Sequence, residues 1–277
     1  MAKKAHRPTH DAGYKRLFSR AGMIEALLCR FIPEPWIAQL DFSTLELIPT
    51  HWVSEKHHRR ESDLVWRVRF GPEGMDFIVY LLIEHQSTPF RYMVVRLLGY
   101  VMLFYDWILQ QRLLTPSQRL PPVLPLVLYN GRRRWRAPLG LRELIEPVSG
   151  GLERFLPSFR YLVLDEAHLP KEVLGPLDNP ATAVFEVERS ENLEQIRKVI
   201  AAVKEMPLGA EGEAIRRDMA AWLRQVVLPA RLPDEELPEV EELEEVDEML
   251  AERVKTWPKK WMAEGYQMAG RKACAKS

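Results

Sequence analysis

The chain has 277 residues, 47% of them hydrophobic and 28% charged, which is enough apolar material for a full core and too much for a disordered chain. Lys plus Arg and Asp plus Glu balance at 39 each, so the net charge announces no polyanionic partner. Cys29 and Cys274 stand outside any CxxC or Cys/His spacing, which argues against a disulfide scaffold and against a structural zinc site.

From the N-terminus, MAKKAHRPTHDAGYKR lacks the apolar core of a signal peptide. The apolar stretches are interrupted by charge or Pro within about a dozen residues, too short to span a bilayer, so a cytoplasmic protein with no membrane partner is expected. Thr9 is a plausible helix N-cap, and Tyr14, Leu17, Phe18, Ile24, Leu27, Leu28 and Phe31 recur near helical spacing up to Pro33, with a break near Ala21-Gly22. Leu45 to Val53 alternates as a strand demoted to an edge or bulge by Pro49. Glu61 to Phe70 and Asp76 to Glu84 follow as two strands joined by Gly71-Pro72-Glu73-Gly74, so the spacing predicts an antiparallel meander.

Phe90 to Arg112 keeps a 3.6-residue apolar period for about six turns and is the clearest helix in the chain. Pro121 to Tyr129 is a buried strand closed by Asn130-Gly131, and Tyr161 to Leu164 is another, ending at Asp165 and Glu166. Beyond Pro180 the pattern is helical, over Asn192–Met206, Glu211–Leu228 and Val240–Trp257. Pro229, Pro233 and Pro238 with acidic residues between them suggest a linker, and the basic end from Gly265 to Ser277 suggests disorder. The expected domains are 1–175, a helical extension at 176–230, and a linker, helix and tail at 231–277.

Chemistry concentrates in YLLIEHQS, residues 80–87. Glu84 and Gln86 are two apart at the end of an apolar strand and so share one face, while Asp63 near the start of the preceding strand brings a second carboxylate within reach. An acidic pair with a polar partner on a sheet is one way to hold a divalent metal. The alternative is that Glu84 and Gln86 simply end a strand in solvent. His51, His57 and His58 fit no metal-ligand spacing. Arg132, Arg133, Arg134, Trp135 and Arg136 form a basic cluster around one aromatic, suited to phosphate contact and stacking and equally to a solvated loop.

Taken in order, HDAGYKRLF, SDLVW, LLIEHQS, the helix with Met93, Arg96 and Tyr100, and PLVLYNG resemble the recombination-promoting nucleases, a family of transposase-like proteins in the PD-(D/E)XK nuclease superfamily. The resemblance covers roughly residues 9 to 170. It implies an α/β fold, a PD-(D/E)XK-type mixed sheet flanked by helices, here with an all-helical C-terminal extension. It also implies Mg²⁺- or Mn²⁺-dependent hydrolysis of DNA. Asp63, Glu84 and the backbone carbonyl of His85 would then be metal ligands, and Asp11 a supporting residue at the start of the first helix.

Gln86 stands where the superfamily usually has Lys. An amide can orient water but adds no charge, and Lys56, Arg59 and Arg60 are near enough in sequence to supply it. The rival reading is a decayed, DNA-binding or assembly protein of the same fold. Leu243, Val246, Leu250 and Val254 make a narrow apolar stripe amid dense acidic charge, which predicts a homodimer through the C-terminal helix.

Overall fold

A computed structural model describes residues 10–48, 64–71, 75–84, 89–115, 117–232, 238, 240 and 242–253, with the backbone alone at 10, 11 and 75–84. The chain divides into two compact units, Met1–Pro176 and Leu177–Ser277.

The first unit is a mixed α/β layer structure. Helices α1 (His10–Phe18) and α2 (Ala21–Phe31) come first, separated at Ser19-Arg20. They lead to strands β1 (Leu40–Ile48), β2 (Leu64–Phe70) and β3 (Met75–Glu84), then the long helix α3 (Met93–Gln111), then β4 (Val123–Tyr129) and β5 (Leu162–Asp165). A short helix α4 (Lys171–Leu174) closes the unit. The five strands lie in the order β1-β2-β3-β4-β5, with the first three antiparallel and β4 and β5 parallel to β3. The expected meander is therefore present. Gly71, with φ of 69°, starts its turn in a conformation open to Gly and strained for other residues.

Strand alternation explains how one sheet serves two helical layers. Val65, Val127 and Tyr129 pack into a core with Met93, Val94, Leu97, Tyr100, Phe104 and Ile108 of α3. The neighbouring Trp66 serves α1 instead, donating its indole N–H to the carbonyl of Phe18 at 3.2 Å. Tyr14, Leu17 and Phe18 of α1 and Met23, Ile24, Leu27 and Leu28 of α2 are fully buried. The period that predicts these helices is thus the period of their buried faces. Against the expectation from composition, α3 has the length and apolarity of a membrane span. Seven of its side chains are buried, as in a core helix.

β1 starts five residues earlier than the alternation predicts. Its register with β2 slips between Asp41 and Glu46, a bulge in which Thr44 Oγ1 accepts the Arg69 N–H at 2.9 Å. Pro49 to Val53, the rest of the expected strand, lies outside the described residues.

The second unit contains α5 (Pro180–Arg189), α6 (Leu193–Glu205), α7 (Gly212–Trp222), a π turn at Leu223–Val227 and α8 (Leu228–Arg231). A final helix, α9, spans 243–253. The predicted linker at Pro229 is helical, because the π turn lets the Leu228 N–H bond to the Leu223 carbonyl and absorbs the proline. Arginines close two helix ends. Arg216 donates to the carbonyls of Val203, Lys204 and Met206, and Arg231 to those of Val187, Glu188 and Ser190.

The apolar stripe expected to pair two copies is satisfied within its own chain. Leu243, Val246 and Leu250 are fully buried, and Asp247 and Glu244 face Arg197 and Lys204 of α6 at 2.8 and 4.0 Å. Counting acidic neighbours in sequence missed that two of those acids pair with α6 while the stripe beside them is buried. The premise for dimerisation through this stripe therefore fails; Val254 lies outside the described residues.

Candidate active site at the carboxyl ends of the strands

Because β1, β3, β4 and β5 run the same way and β2 opposes them, one end of the sheet gathers Ile48, Leu64, Glu84, Tyr129 and Asp165. Glu84 pairs in register with Tyr129, and Tyr129 with Asp165. Leu64, next in sequence after Asp63, pairs with Leu81, three residues before Glu84. In open α/β sheets the carboxyl ends of the strands are where loops leave and ligands bind.

The structure bears unevenly on the residues singled out in the sequence. Asp63, His85 and Gln86 lie outside the described residues, as do Lys56, Arg59 and Arg60. Glu84 is fixed in backbone register at the end of β3, and Asp11 has a helical backbone one turn before Tyr14 on α1. Among the described residues no three His, Cys, Asp or Glu side chains gather as a metal centre would.

Two carboxylates that the sequence marks only as the end of a strand, Asp165 and Glu166, organise this end of the sheet. Glu166, 1% exposed, accepts a hydrogen bond from the Tyr14 hydroxyl at 2.6 Å. This contact ties the start of the chain to the end of β5. Asp165 accepts the Trp135 backbone N–H at 2.8 Å through Oδ2 and meets His168 Nδ1 at 2.7 Å through Oδ1. It thereby fixes the loop that leaves β4.

That loop carries the predicted basic cluster, and its centre is not presented for stacking. The Trp135 ring packs edge-on against Tyr129 with centroids 4.9 Å apart and against Tyr161 at 6.3 Å, and its indole N–H donates to the Tyr161 hydroxyl at 3.2 Å. Tyr129 in turn donates to the Arg133 carbonyl at 2.6 Å, and Tyr161 to the Pro138 carbonyl at 3.0 Å. Trp135 is therefore an anchor, which corrects its expected role as a nucleic-acid platform. Arg132, Arg133, Arg134 and Arg136 are exposed around it. Three of them join Pro89, Arg91, Ala137 and Pro138 in lining an open cleft of about 520 Å³.

The anchor gives a pH expectation. Burial pushes the Tyr161 phenol from its ordinary 10.0 up to about 12, the bond from Trp135 opposing this and Glu143 adding to it. The folded state then holds this proton more tightly than the unfolded chain. Stability from the neutral phenol is full below about pH 10 and is lost as pH rises towards 12. Urea denaturation of Tyr161→Phe should show a loss of about 1 kcal/mol at pH 8 and a shallower decline above pH 10 than the parent. Parallel declines would place the phenol outside this coupling.

Residues 8–199 match the model of the family described as "Putative transposase, YhgA-like". Over 131 residues the chain is 30% identical to the recombination-promoting nuclease RpnA of Escherichia coli K12, covering 47% of this chain and 43% of that protein. Over 163 residues it is 29% identical to the inactive recombination-promoting nuclease-like protein RpnE of the same strain, covering 59% and 52%. Over 125 residues it is 30% identical to the recombination-promoting nuclease RpnD of Escherichia coli O157:H7, covering 45% and 46%. The chain spans about half the length of these curated relatives. No solved structure matches it.

Proposed function

Since the chain belongs to the YhgA-like transposase family, several of whose curated relatives are named recombination-promoting nucleases, we propose that it is a metal-dependent deoxyribonuclease of the PD-(D/E)XK type. Its reaction would be hydrolysis of DNA phosphodiesters, serving recombination, mobile elements or phage defence. The observation that carries this reading is the placing of Glu84 at the carboxyl end of β3, at the same end of the sheet where β2 begins directly after Asp63. Order and direction of α1, the β1-β2-β3 meander, α3 and the parallel β4 support the same superfamily.

Asp63 and Glu84 are hard oxygen donors of the kind Mg²⁺ or Mn²⁺ takes, and the start of β2 and the end of β3 lie at the same end of the sheet, so the chemistry of this donor set suits such an ion. These two carboxylates and the His85 backbone carbonyl would hold it. When bound, the ion acidifies a coordinated water and offsets charge building on the phosphate. The Gln86 amide can orient the attacking water by accepting its proton in a hydrogen bond, without contributing charge. Arg132, Arg133, Arg134 and Arg136, exposed on the loop after β4, are suited to hold the phosphate backbone and to supply the positive charge that Gln86 does not. Asp11, one turn before the Tyr14 that is latched to Glu166, would have a supporting role.

Gln86 is also the specific observation that favours a decayed site, and one relative is named inactive. The two readings separate on variants at this position. Gln86→Ala should slow plasmid cleavage by roughly ten- to a thousand-fold, the range for losing one positioning donor, and Gln86→Lys should keep or raise the rate. An inert parent beside an equally inert Gln86→Lys variant favours the decayed site.

A further inference from the structure

The cleft beside the sheet end joins two loops that are far apart in sequence. Arg91 comes from the segment before α3, and Arg133, Arg134 and Arg136 come from the loop after β4. No ion pair to a carboxylate holds any of these four guanidinium groups among the described residues. Gathering like charges costs stability unless an anion neutralises them. The cleft volume of about 520 Å³ lies within the roughly 300–1,000 Å³ typical of ligand sites.

Two large aromatic residues stand on either side of Arg91 in sequence, beside the cleft lining rather than in it. Phe90 is 41% exposed and Tyr92 is 51% exposed, whereas Tyr14, Tyr100, Tyr129 and Tyr161 are buried. They meet each other edge-to-face with centroids 6.1 Å apart, and the Arg96 guanidinium stacks on the Phe90 ring at 5.0 Å. Both rings are thus held in place while remaining open to solvent. A duplex hides the faces of its bases and offers such rings nothing, whereas an unpaired strand presents a π-face at every nucleotide.

We propose that this cleft and the aromatic pair next to Arg91 in sequence bind single-stranded DNA, with Arg91, Arg133, Arg134 and Arg136 on successive phosphates and Phe90 and Tyr92 stacking on unpaired bases. The inference deepens the nuclease reading by naming unpaired strand, including the single-stranded stretches that a supercoiled plasmid exposes, as the DNA it engages, and it rests on that reading for its biological sense.

Binding is measured without cleavage, by anisotropy of a fluorescein-labelled twenty-nucleotide dT strand and of a dA·dT duplex of equal length, on the full chain in EDTA. The parent should bind the single strand at least about tenfold more tightly. Phe90→Ala with Tyr92→Ala should weaken single-strand binding by roughly tenfold or more, since each stacked base contributes about five- to 150-fold, and should leave duplex binding unchanged. Arg91→Gln with Arg134→Gln should weaken both and flatten the salt dependence by about 0.7 log units per lost contact on the single strand. Equal or weaker binding of the single strand by the parent overturns the proposal without any variant. So does an aromatic variant that binds as the parent does or loses both substrates equally. A failure of the nuclease reading shows separately, as absent cleavage with this binding pattern intact.

Discussion

Glu84→Ala and Asp63→Ala should each reduce Mg²⁺-dependent plasmid cleavage by roughly a hundred- to a thousand-fold, the loss typical when one electrostatic element of an active site is removed. Glu84 closes β3 at the sheet end where the described part of β2 begins at Leu64, so its substitution removes no residue from the interior of the ladder. Far-UV circular dichroism and the denaturation midpoint should therefore stay near those of the parent. The effect belongs to chemistry if duplex or single-strand affinity in EDTA is retained while cleavage is lost. Cleavage that survives both substitutions would remove these carboxylates from the mechanism.

The largest effect on stability is expected at Tyr129. Its side chain is fully buried, packs with α3 and against the Trp135 ring, and sits in register between Glu84 and Asp165. Tyr129→Ala should cost about 3–5 kcal/mol, the range for deleting a large aromatic from a core, and lower the melting temperature by roughly 10 °C. Tyr129→Phe keeps the ring and removes only the hydrogen bond to the Arg133 carbonyl, so its cost should be about 1 kcal/mol. A difference of less than about 1 kcal/mol between the two variants in urea denaturation would contradict the packing role. If the hydroxyl also orders the arginine loop, Tyr129→Phe should weaken DNA binding out of proportion to its small stability loss.

Periodicity made some elements legible and others not. The helix α3 was readable because one stripe, from Met93 through Val101 to Ile108, packs on the sheet while Val95 and Met102 stay exposed. Helix α5 has no such signature: Ala181, Thr182, Ala183, Val184, Phe185 and Val187 are all buried, so no polar face reveals its period. Its readable signal was the Asn179 N-cap, which accepts the N–H groups of Ala181 and Thr182, followed by Pro180 at the first helical position.

The candidate site divides in the same way. Glu84 and the arginine loop were readable from local spacing, because a strand end and a basic turn are local features. Tyr14 and Glu166 are 152 residues apart and meet only after the sheet has formed. Arg91 joins Arg134 across the cleft for the same reason. Trp135 was misread because its burial depends on Tyr129 and Tyr161, neighbours that only the β4–β5 pairing supplies. The C-terminal stripe is buried within its own chain, beside the Arg197–Asp247 ion pair to α6, a neighbour 50 residues away that local spacing does not reveal.

The most direct measurement is cleavage of supercoiled plasmid by the purified chain with Mg²⁺ or Mn²⁺, with EDTA, and with the Asp63→Ala/Glu84→Ala double variant in parallel. The nuclease reading predicts nicked and linear products from the parent with either metal, and intact plasmid in EDTA and with the double variant. Intact plasmid from the folded parent under every metal condition, or products that persist equally in EDTA and in the double variant, would contradict it.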